Sequence, residues 1–169
     1  SEIKGRKGTK ISENIGLMPG ARFFPDAKLN YAENLLRAAD NAIAIEEFRE
    51  DGFSNALTRK ELESKALKMA GWMKSKGVKK GDRVCAYMPN CSETVISMLA
   101  TSALGAIFSS CSSDFGIEGV IDRFEQIEPK IMIAADGYLY NGKVIDRSEE
   151  IKKISKRLPS LEHIIVVEY

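Results

Sequence analysis

Apolar residues recur at helical spacing in the segment that follows Thr58. They stand four, three and four positions apart, at Leu62, Ala66, Met69 and Met73. This spacing puts them on one face of an α-helix. Thr58 and Glu61 have the spacing of a capping box, and Gly77 suits the end of a helix. The pattern therefore predicts a helix between Thr58 and Gly77 that packs on a core.

Short apolar runs alternate with helical patterns over the rest of the chain. The runs are DRVCAYM, AIFSS, KIMIAA and HIIVVE. Consecutive apolar residues are typical of strands that are buried on both faces, and strands that alternate with helices favour a parallel sheet. The sequence therefore predicts an α/β fold with a mainly parallel sheet covered by helices. We expect KIMIAA to lie beside AIFSS in that sheet.

Three further helices are predicted between these strands. Capping side chains mark their starts: Ser92 for the second helix, Ser112 for the third, and Asp146 with Glu149 for the last. Apolar residues at helical spacing follow each cap, and Pro129 ends the third helix.

The first 57 residues show no sustained period. One short amphipathic stretch carries Tyr31 and Leu35, and the segments IAIEEF and EDGFSNALT predict a hairpin with its turn at Asp51-Gly52. We therefore divide the chain into an irregular amino-terminal arm with a short helix and a hairpin, residues 1–57, and an α/β subdomain, residues 58–169.

Composition excludes several classes of protein. The chain is 44% hydrophobic and 29% charged with a net charge of +1, which is unlike a disordered chain. Its two basic runs, residues 4–10 and 152–157, contain no aromatic residues, so nucleic-acid binding is not predicted. The most apolar window, residues 95–108, is too short to span a bilayer of about 30 Å. We expect neither a membrane span nor a targeting peptide.

Three cysteines and one histidine offer little for nucleophilic or metal chemistry. Cys85, Cys91 and Cys111 are odd in number and no secretory hydrophobic segment precedes them, so we expect reduced thiols and a cytoplasmic location. They also lack the spacing of a zinc site. His163, the one histidine, is separated from Cys111 by a predicted helix and two strands, and no G-x-S-x-G or phosphate-loop motif occurs. No catalytic residue and no metal ligand is predicted.

The loop after AIF is rich in small polar residues. If Ser112 begins a helix, the amides there and the hydroxyls of Ser109 and Ser110 form a polar edge. That edge would lie beyond the carboxyl end of a strand, where open sheets bind ligands. An ordinary cap and turn explains the same residues, and both interpretations stay open at this point.

A second polar feature is the segment ADGYLYNGKVI. Asn141-Gly142 predicts a two-residue turn that holds Tyr140 and Lys143 outward. An aromatic ring and an ammonium group suit a base and a phosphate. An ordinary surface hairpin remains the alternative.

Several longer stretches resemble a known family. KGVKKGDRVCAYMPNCSETVISMLATSALGAIF is similar to the amino-terminal framework of acyl-CoA synthetases in the adenylate-forming superfamily. Within it, FFPDAKLNYAENLL, SSCSSDFGIEGVIDRFEQIEPK and DGYLYNGK resemble the branch that activates acetoacetate rather than the branch that activates acetate. The resemblance runs from about Phe23 to the end of the chain.

This resemblance implies an acid-thiol ligase that uses ATP, CoA and Mg²⁺ and acts on small-molecule substrates. It also implies that Phe108, Ser109, Ser110, Tyr140 and Lys143 line the site for the adenosine end of CoA. Acetate-activating relatives carry glycines in place of the two serines and an arginine at or near Tyr140, which is a departure from that pattern.

The superfamily's phosphate loop, adenine-binding segment and catalytic lysine have no counterpart in these 169 residues. We therefore expect an amino-terminal fragment that has no turnover by itself and that tends to self-associate through a cut sheet edge. The alternatives are a fragment of an acetate or propionate ligase, or a binding module without catalysis.

Overall fold

The computed structural model describes residues 3–169. In chain order the elements are β1 (Ser12–Glu13), β2 (Arg22–Phe23), α1 (Tyr31–Leu35), β3 (Ile43–Arg49), β4 (Gly52–Thr58), α2 (Arg59–Ser75), β5 (Arg83–Tyr87), α3 (Ser92–Ala103), β6 (Ile107–Cys111), α4 (Ile117–Glu125), β7 (Ile131–Ala135), β8 (Gly137–Tyr140), β9 (Lys143–Asp146), α5 (Ser148–Arg157) and β10 (His163–Val167).

A four-stranded parallel sheet forms the centre of the fold. Its strand order is β10-β7-β5-β6, and each neighbouring pair is parallel. The predicted α/β fold is confirmed. The expectation that KIMIAA and AIFSS are neighbours is wrong, because β5 lies between β7 and β6. Sequence periodicity defines strands but carries no information about their lateral order.

Helices cover both faces of this sheet. On one face, residues of α2, α3 and the strands form a cluster that includes Met73, Val84, Ala100 and Ile133. On the other face, α4 and α5 contribute to a cluster that includes Tyr87, Val120, Phe124, Met132 and Ile154. Successive strand residues point to opposite faces, so a strand between two helical layers must be apolar at every position.

The helix starts agree with the sequence at α2 and differ elsewhere. At α2 the capping box is complete, since Thr58 Oγ1 accepts from the Glu61 N–H at 3.2 Å and the Glu61 carboxylate accepts from the Thr58 N–H at 2.9 Å. Ser92 is the first residue of α3 rather than its cap. Its N–H donates to the carboxylate of Glu47 at 2.7 Å, so a side chain from β3 supplies the missing cap.

The start of α5 is also shifted. Asp146 Oδ1 accepts from the Ser148 N–H at 2.7 Å, but the capping position is Arg147, whose side chain makes no capping bond. Glu149 pairs with Lys152 instead of capping the helix.

The first 57 residues contain the short helix and the hairpin. β3 and β4 pair antiparallel as predicted, but the turn is Glu50-Asp51 rather than Asp51-Gly52, because Gly52 already pairs with Arg49. In α1, however, the buried residues near the helix are Ala32 and Leu36, whereas Tyr31 and Leu35 are exposed. The boundary between arm and subdomain at residue 57 stays a prediction.

Among residues 3–169, no helix is long and apolar enough to cross a membrane.

Candidate functional site

The candidate site lies at the edge of the sheet where β5, β6 and β7 end. Parallel strands present their carboxyl ends on one edge, and ligands of open α/β sheets bind there. The loop 112–116 follows β6 at this edge, and the β8–β9 hairpin follows β7. Each predicted site residue belongs to one of these two segments or to the strand that leads into it.

Phe108, Ser109 and Ser110 lie in β6, the outermost strand on one side of the sheet. They pair in parallel register with Val84, Cys85 and Ala86 of β5. The Phe108 ring packs on the hydrophobic cluster beneath α2 and α3, so it contributes to the core as well as being a candidate ligand contact. Ser110 is exposed and Ser109 is partly buried.

The loop after β6 is a turn and not the start of a helix. The Phe115 N–H donates to the Ser112 carbonyl at 3.1 Å, and α4 begins at Ile117 with Gly116 at its capping position. The prediction that Ser112 caps this helix is therefore wrong. The structure shows the physical reason: the Tyr87 hydroxyl lies 2.9 Å from the Ser113 carbonyl and 2.8 Å from the Phe115 carbonyl. These bonds hold the loop in a non-helical path.

Tyr140 and Lys143 face each other at the end of the second hairpin. They are the last pair of the β8–β9 register, and Asn141 and Gly142 both have positive φ, as a two-residue turn of this kind requires. The hairpin and its turn are thus as predicted. Tyr140 is 64% exposed, and Lys143 is exposed as well. The Gly142 N–H donates to the carboxylate of Glu50 at 3.1 Å, which ties this turn to the first hairpin.

The two groups of predicted site residues are not on neighbouring strands. Phe108 to Ser110 are on β6, whereas Tyr140 and Lys143 belong to the hairpin that leaves β7, and β5 separates β6 from β7. Within the sheet, the carboxyl end of β5 separates the two strands from which these segments leave. That end is Tyr87, a residue that the sequence analysis did not select.

Tyr87 is a fully buried polar residue at this edge. Burial raises the pKa of its hydroxyl, and the positive charge of Arg147 opposes this. The Arg147 guanidinium in turn donates to the Tyr138 hydroxyl at 3.0 Å and to Glu150 at 3.3 Å. The sequence could have indicated Tyr87, because it is the one residue with a hydroxyl group in the otherwise apolar run VCAY and it ends that run. Nothing in the local sequence indicates that Arg147 would meet it.

The thiols carry no sign of activation. All three cysteines are free and buried, and burial raises the pKa of each thiol. His163 packs edge-on against Trp72, with 6.0 Å between ring centroids. Within the described part of the chain, no group of three or more His, Cys, Asp or Glu side chains is positioned to hold a metal ion.

Comparison with known proteins agrees with this fold. The acetoacetyl-coenzyme A synthetase of Rhizobium meliloti (strain 1021) is 45% identical over 157 residues, which is 93% of this chain and 24% of that protein. The acetoacetyl-CoA synthetase of Xenopus tropicalis is 41% identical over 162 residues, with shares of 94% and 24%. The chain therefore spans about a quarter of the length of these relatives.

A solved structure and a family model extend the comparison. The acetoacetyl-CoA synthetase from Streptomyces lividans superposes with a TM-score of 0.92 at 36% identity, covering 99% of this chain and 26% of that one. The family model for AMP-binding enzymes matches residues 33–169, which is most of the chain. The chain accordingly belongs to the AMP-binding enzyme family.

Proposed function

We propose that these residues form the amino-terminal part of an ATP-dependent acetoacetate:CoA ligase. The observation that carries this proposal is the identity of 41–45% over nearly the whole chain with proteins named acetoacetyl-CoA synthetase. The parallel sheet and its polar carboxyl edge are consistent with a nucleotide-handling scaffold.

The proposed reaction has two steps. A carboxylate oxygen of acetoacetate attacks the α-phosphorus of ATP, the bond to the bridging oxygen breaks, and pyrophosphate leaves. The CoA sulfur then attacks the carbonyl carbon of the acyl-adenylate, AMP leaves, and the thiol proton is released. Adenylation converts a poor leaving group into a good one, so the protein's task is to position the reactants and to neutralise phosphate charge. We assign no residue of this chain to Mg²⁺ or to ATP.

Within this reaction, we assign Phe108, Ser109, Ser110, Tyr140 and Lys143 to the adenosine end of CoA. Support comes from the position of Ser110 and of the β8–β9 hairpin toward the carboxyl edge of the sheet, and from the exposure of Ser110, Tyr140 and Lys143. Phe108 lies nearer the amino-terminal end of β6. Lys143 would contact a phosphate as a point charge, without the bidentate geometry of an arginine.

The free thiols also suit a reducing compartment, so we propose a cytoplasmic location, which cell fractionation would test.

The function is tested on the protein expressed from the complete reading frame. We expect AMP release that depends on ATP, CoA and acetoacetate together, and weaker release with acetate or propionate. Preference for acetate or propionate would transfer the proposal to another short-acid ligase. A protein that releases no AMP with any of the three acids would favour a binding module and would contradict the proposal.

The site is tested separately with Lys143→Ala. Loss of a phosphate contact should raise the KM for CoA while acetoacetate-dependent exchange of pyrophosphate into ATP is unchanged, because CoA enters only in the second step. Lys68→Ala, on an exposed part of α2, is the matched control and should change neither quantity. Loss of the exchange reaction in the Lys143 variant would refute the assignment.

A further inference from the structure

A polar cluster of buried Tyr87 and partly buried Arg147 and Tyr138 lies between the two segments that carry the predicted site residues. Tyr87 ends the central strand β5 and has Cys111 of β6 as its register partner on one side and Ala134 of β7 on the other. The segments that carry the predicted site residues follow these two flanking strands. The end of β5 therefore lies between the two strands from which these segments leave.

On the β6 side, the Tyr87 hydroxyl contacts the serine-rich loop. Its oxygen is within hydrogen-bond distance of two carbonyl oxygens, those of Ser113 and Phe115. A phenol has a single proton, so it is shared between the two carbonyls or alternates between them. The two carbonyls lie two and four residues beyond the end of β6, and are therefore close in sequence to Ser109 and Ser110.

On the β7 side, Arg147 contacts the β8–β9 hairpin through its side chain and the residue before that hairpin through its backbone. Its backbone N–H donates to the Asp136 carbonyl at 2.6 Å, at the point where the chain leaves β7. Its guanidinium donates to the Tyr138 hydroxyl and lies over the same ring, 5.3 Å from the centroid. Asp136 comes two residues after Ala134, the register partner of Tyr87 in β7. Arg147 thus joins the end of β7, which is paired with β5, to the hairpin that presents Tyr140 and Lys143.

This cluster is poorly suited to stability alone. Ser113 Oγ and Arg147 Nε are buried, and neither has a hydrogen-bond partner among residues 3–169. Buried polar atoms without partners cost free energy, and an apolar cluster of the same shape would avoid that cost. Tyr87 itself belongs to an apolar cluster with Phe124, Met132 and Ile154, whereas the Arg147 guanidinium also pairs with Glu150. Polar groups retained in such a place call for an explanation other than packing.

We propose that Tyr87, Arg147 and Tyr138 are positioning residues that hold the loop after β6 and the β8–β9 hairpin at a fixed separation, so that both contact one CoA molecule. This inference rests on the proposed function, because it assigns a role in the CoA-dependent step. None of the three residues needs to touch CoA. Their removal makes the separation of the two segments variable, while the residues that contact CoA remain present.

The experiment uses Tyr87→Phe, Tyr138→Phe and the double variant in the protein expressed from the complete reading frame. Each substitution keeps the ring and removes only the hydroxyl. We expect each single variant to raise the KM for CoA roughly three- to tenfold, as loss of one ordinary hydrogen bond would, with acetoacetate-dependent pyrophosphate exchange unchanged. The double variant should be no worse than about the worse single one, because both substitutions break one connection.

A third variant of the cluster and a control outside it complete the experiment. Arg147→Lys keeps the charge but loses the planar guanidinium, and should also raise the KM for CoA. Tyr31→Phe removes a hydroxyl from an exposed tyrosine of α1 and should have no effect. A purely structural role for the cluster would instead lower the pyrophosphate exchange and the thioester-forming step in parallel.

The outcomes separate the inference from the function on which it rests. Unchanged KM for CoA in all the cluster variants, a parallel fall in both steps, or effects of Tyr87→Phe and Tyr138→Phe that multiply would each overturn the inference while an active wild type upholds the ligase. An inactive wild type would overturn both.

Discussion

The parallel sheet and the amino-terminal arm keep their order by different physical means. All five residues of β7 are completely buried between two helical layers. In the arm, by contrast, Met18 is 97% exposed and Phe23 is 66% exposed. The sheet is therefore stabilised by removal of apolar surface from water, whereas this term is small over much of the arm.

In the arm, hydrogen bonds made by polar side chains stabilise the structure instead. The Asp26 carboxylate accepts from the Thr9 N–H at 2.8 Å and from the Thr9 hydroxyl at 3.1 Å. The Asn30 side-chain amide donates to the carbonyls of Ser102 and Ala103, the last residues of α3, at 3.1 and 3.0 Å. Such bonds each stabilise weakly in water, so the arm depends on many small contributions and the sheet on a few large ones.

The largest expected contrast comes from one substitution made in both regions. Phe124→Ala removes a fully buried ring from the α4 face of the sheet and should lower the free energy of unfolding by about 3–5 kcal/mol. Phe23→Ala removes an exposed ring and should cost less than about 0.5 kcal/mol. Urea denaturation of the 169-residue chain measures both values.

The wild-type chain and the slope of the unfolding transition serve as the reference for this pair. A slope that changes in either variant would indicate altered compactness of the folded or unfolded state rather than a difference in stability. Equal costs at the two positions would break the distinction between sheet and arm.

The same distinction explains which features could be predicted from sequence. In the sheet and the helices that cover it, burial sets the sequence pattern, so the spacing of Leu62, Ala66 and Met73 marked α2 correctly and the unbroken apolar run Ile131 to Ala135 marked β7. In α1 the helix is only five residues long, and the period did not identify Ala32 and Leu36 as its buried side. Where few side chains are buried, apolar spacing is a poor guide.

The candidate site was predictable only in part. The Asn141-Gly142 turn is a local property, so the hairpin and the pairing of Tyr140 with Lys143 followed from the sequence. The path of the loop after β6 did not, because it depends on Tyr87, 26 residues away from Ser113 along the chain. Strand order is a long-range property of the same kind, and for this reason β5 was not placed between the two groups of site residues.

The next largest effect is expected where the first hairpin meets the start of α3. Glu47 of β3 is almost completely buried, and its carboxylate accepts from the Ser92 N–H at 2.7 Å and from the Ser54 hydroxyl at 3.3 Å. Glu47→Gln removes the charge from these bonds and should lower the free energy of unfolding by about 1.5–3 kcal/mol. The adjacent, exposed Glu46→Gln is the matched control and should leave stability unchanged.

The pH dependence of stability provides an independent check on Glu47. Burial alone raises the pKa of its carboxyl, but the bond from the Ser92 amide and the nearby Arg49 outweigh burial and bring the pKa below its ordinary value of 4.5. The stabilisation is therefore fully present above pH 4.5 and is lost as the pH falls through the lower pKa of the folded state. Urea midpoints measured across this range should fall less steeply in Glu47→Gln than in the wild type; identical slopes would show that Glu47 is not the group responsible.

The smallest effect that still distinguishes the two regions is expected at Thr58, where the hairpin passes into α2. Its hydroxyl accepts from the Glu61 N–H, and α2 packs Ala66 and Met73 into the core, so loss of the cap acts on a helix that the fold needs. Thr58→Ala should lower the free energy of unfolding by about 1 kcal/mol. Thr9→Ala, in the arm, also removes one hydroxyl bond but keeps the backbone bond to Asp26, and it should cost clearly less. Urea denaturation compares the two variants, and a larger loss at Thr9 than at Thr58 would mean that the arm's polar contacts support the fold as strongly as a helix cap does.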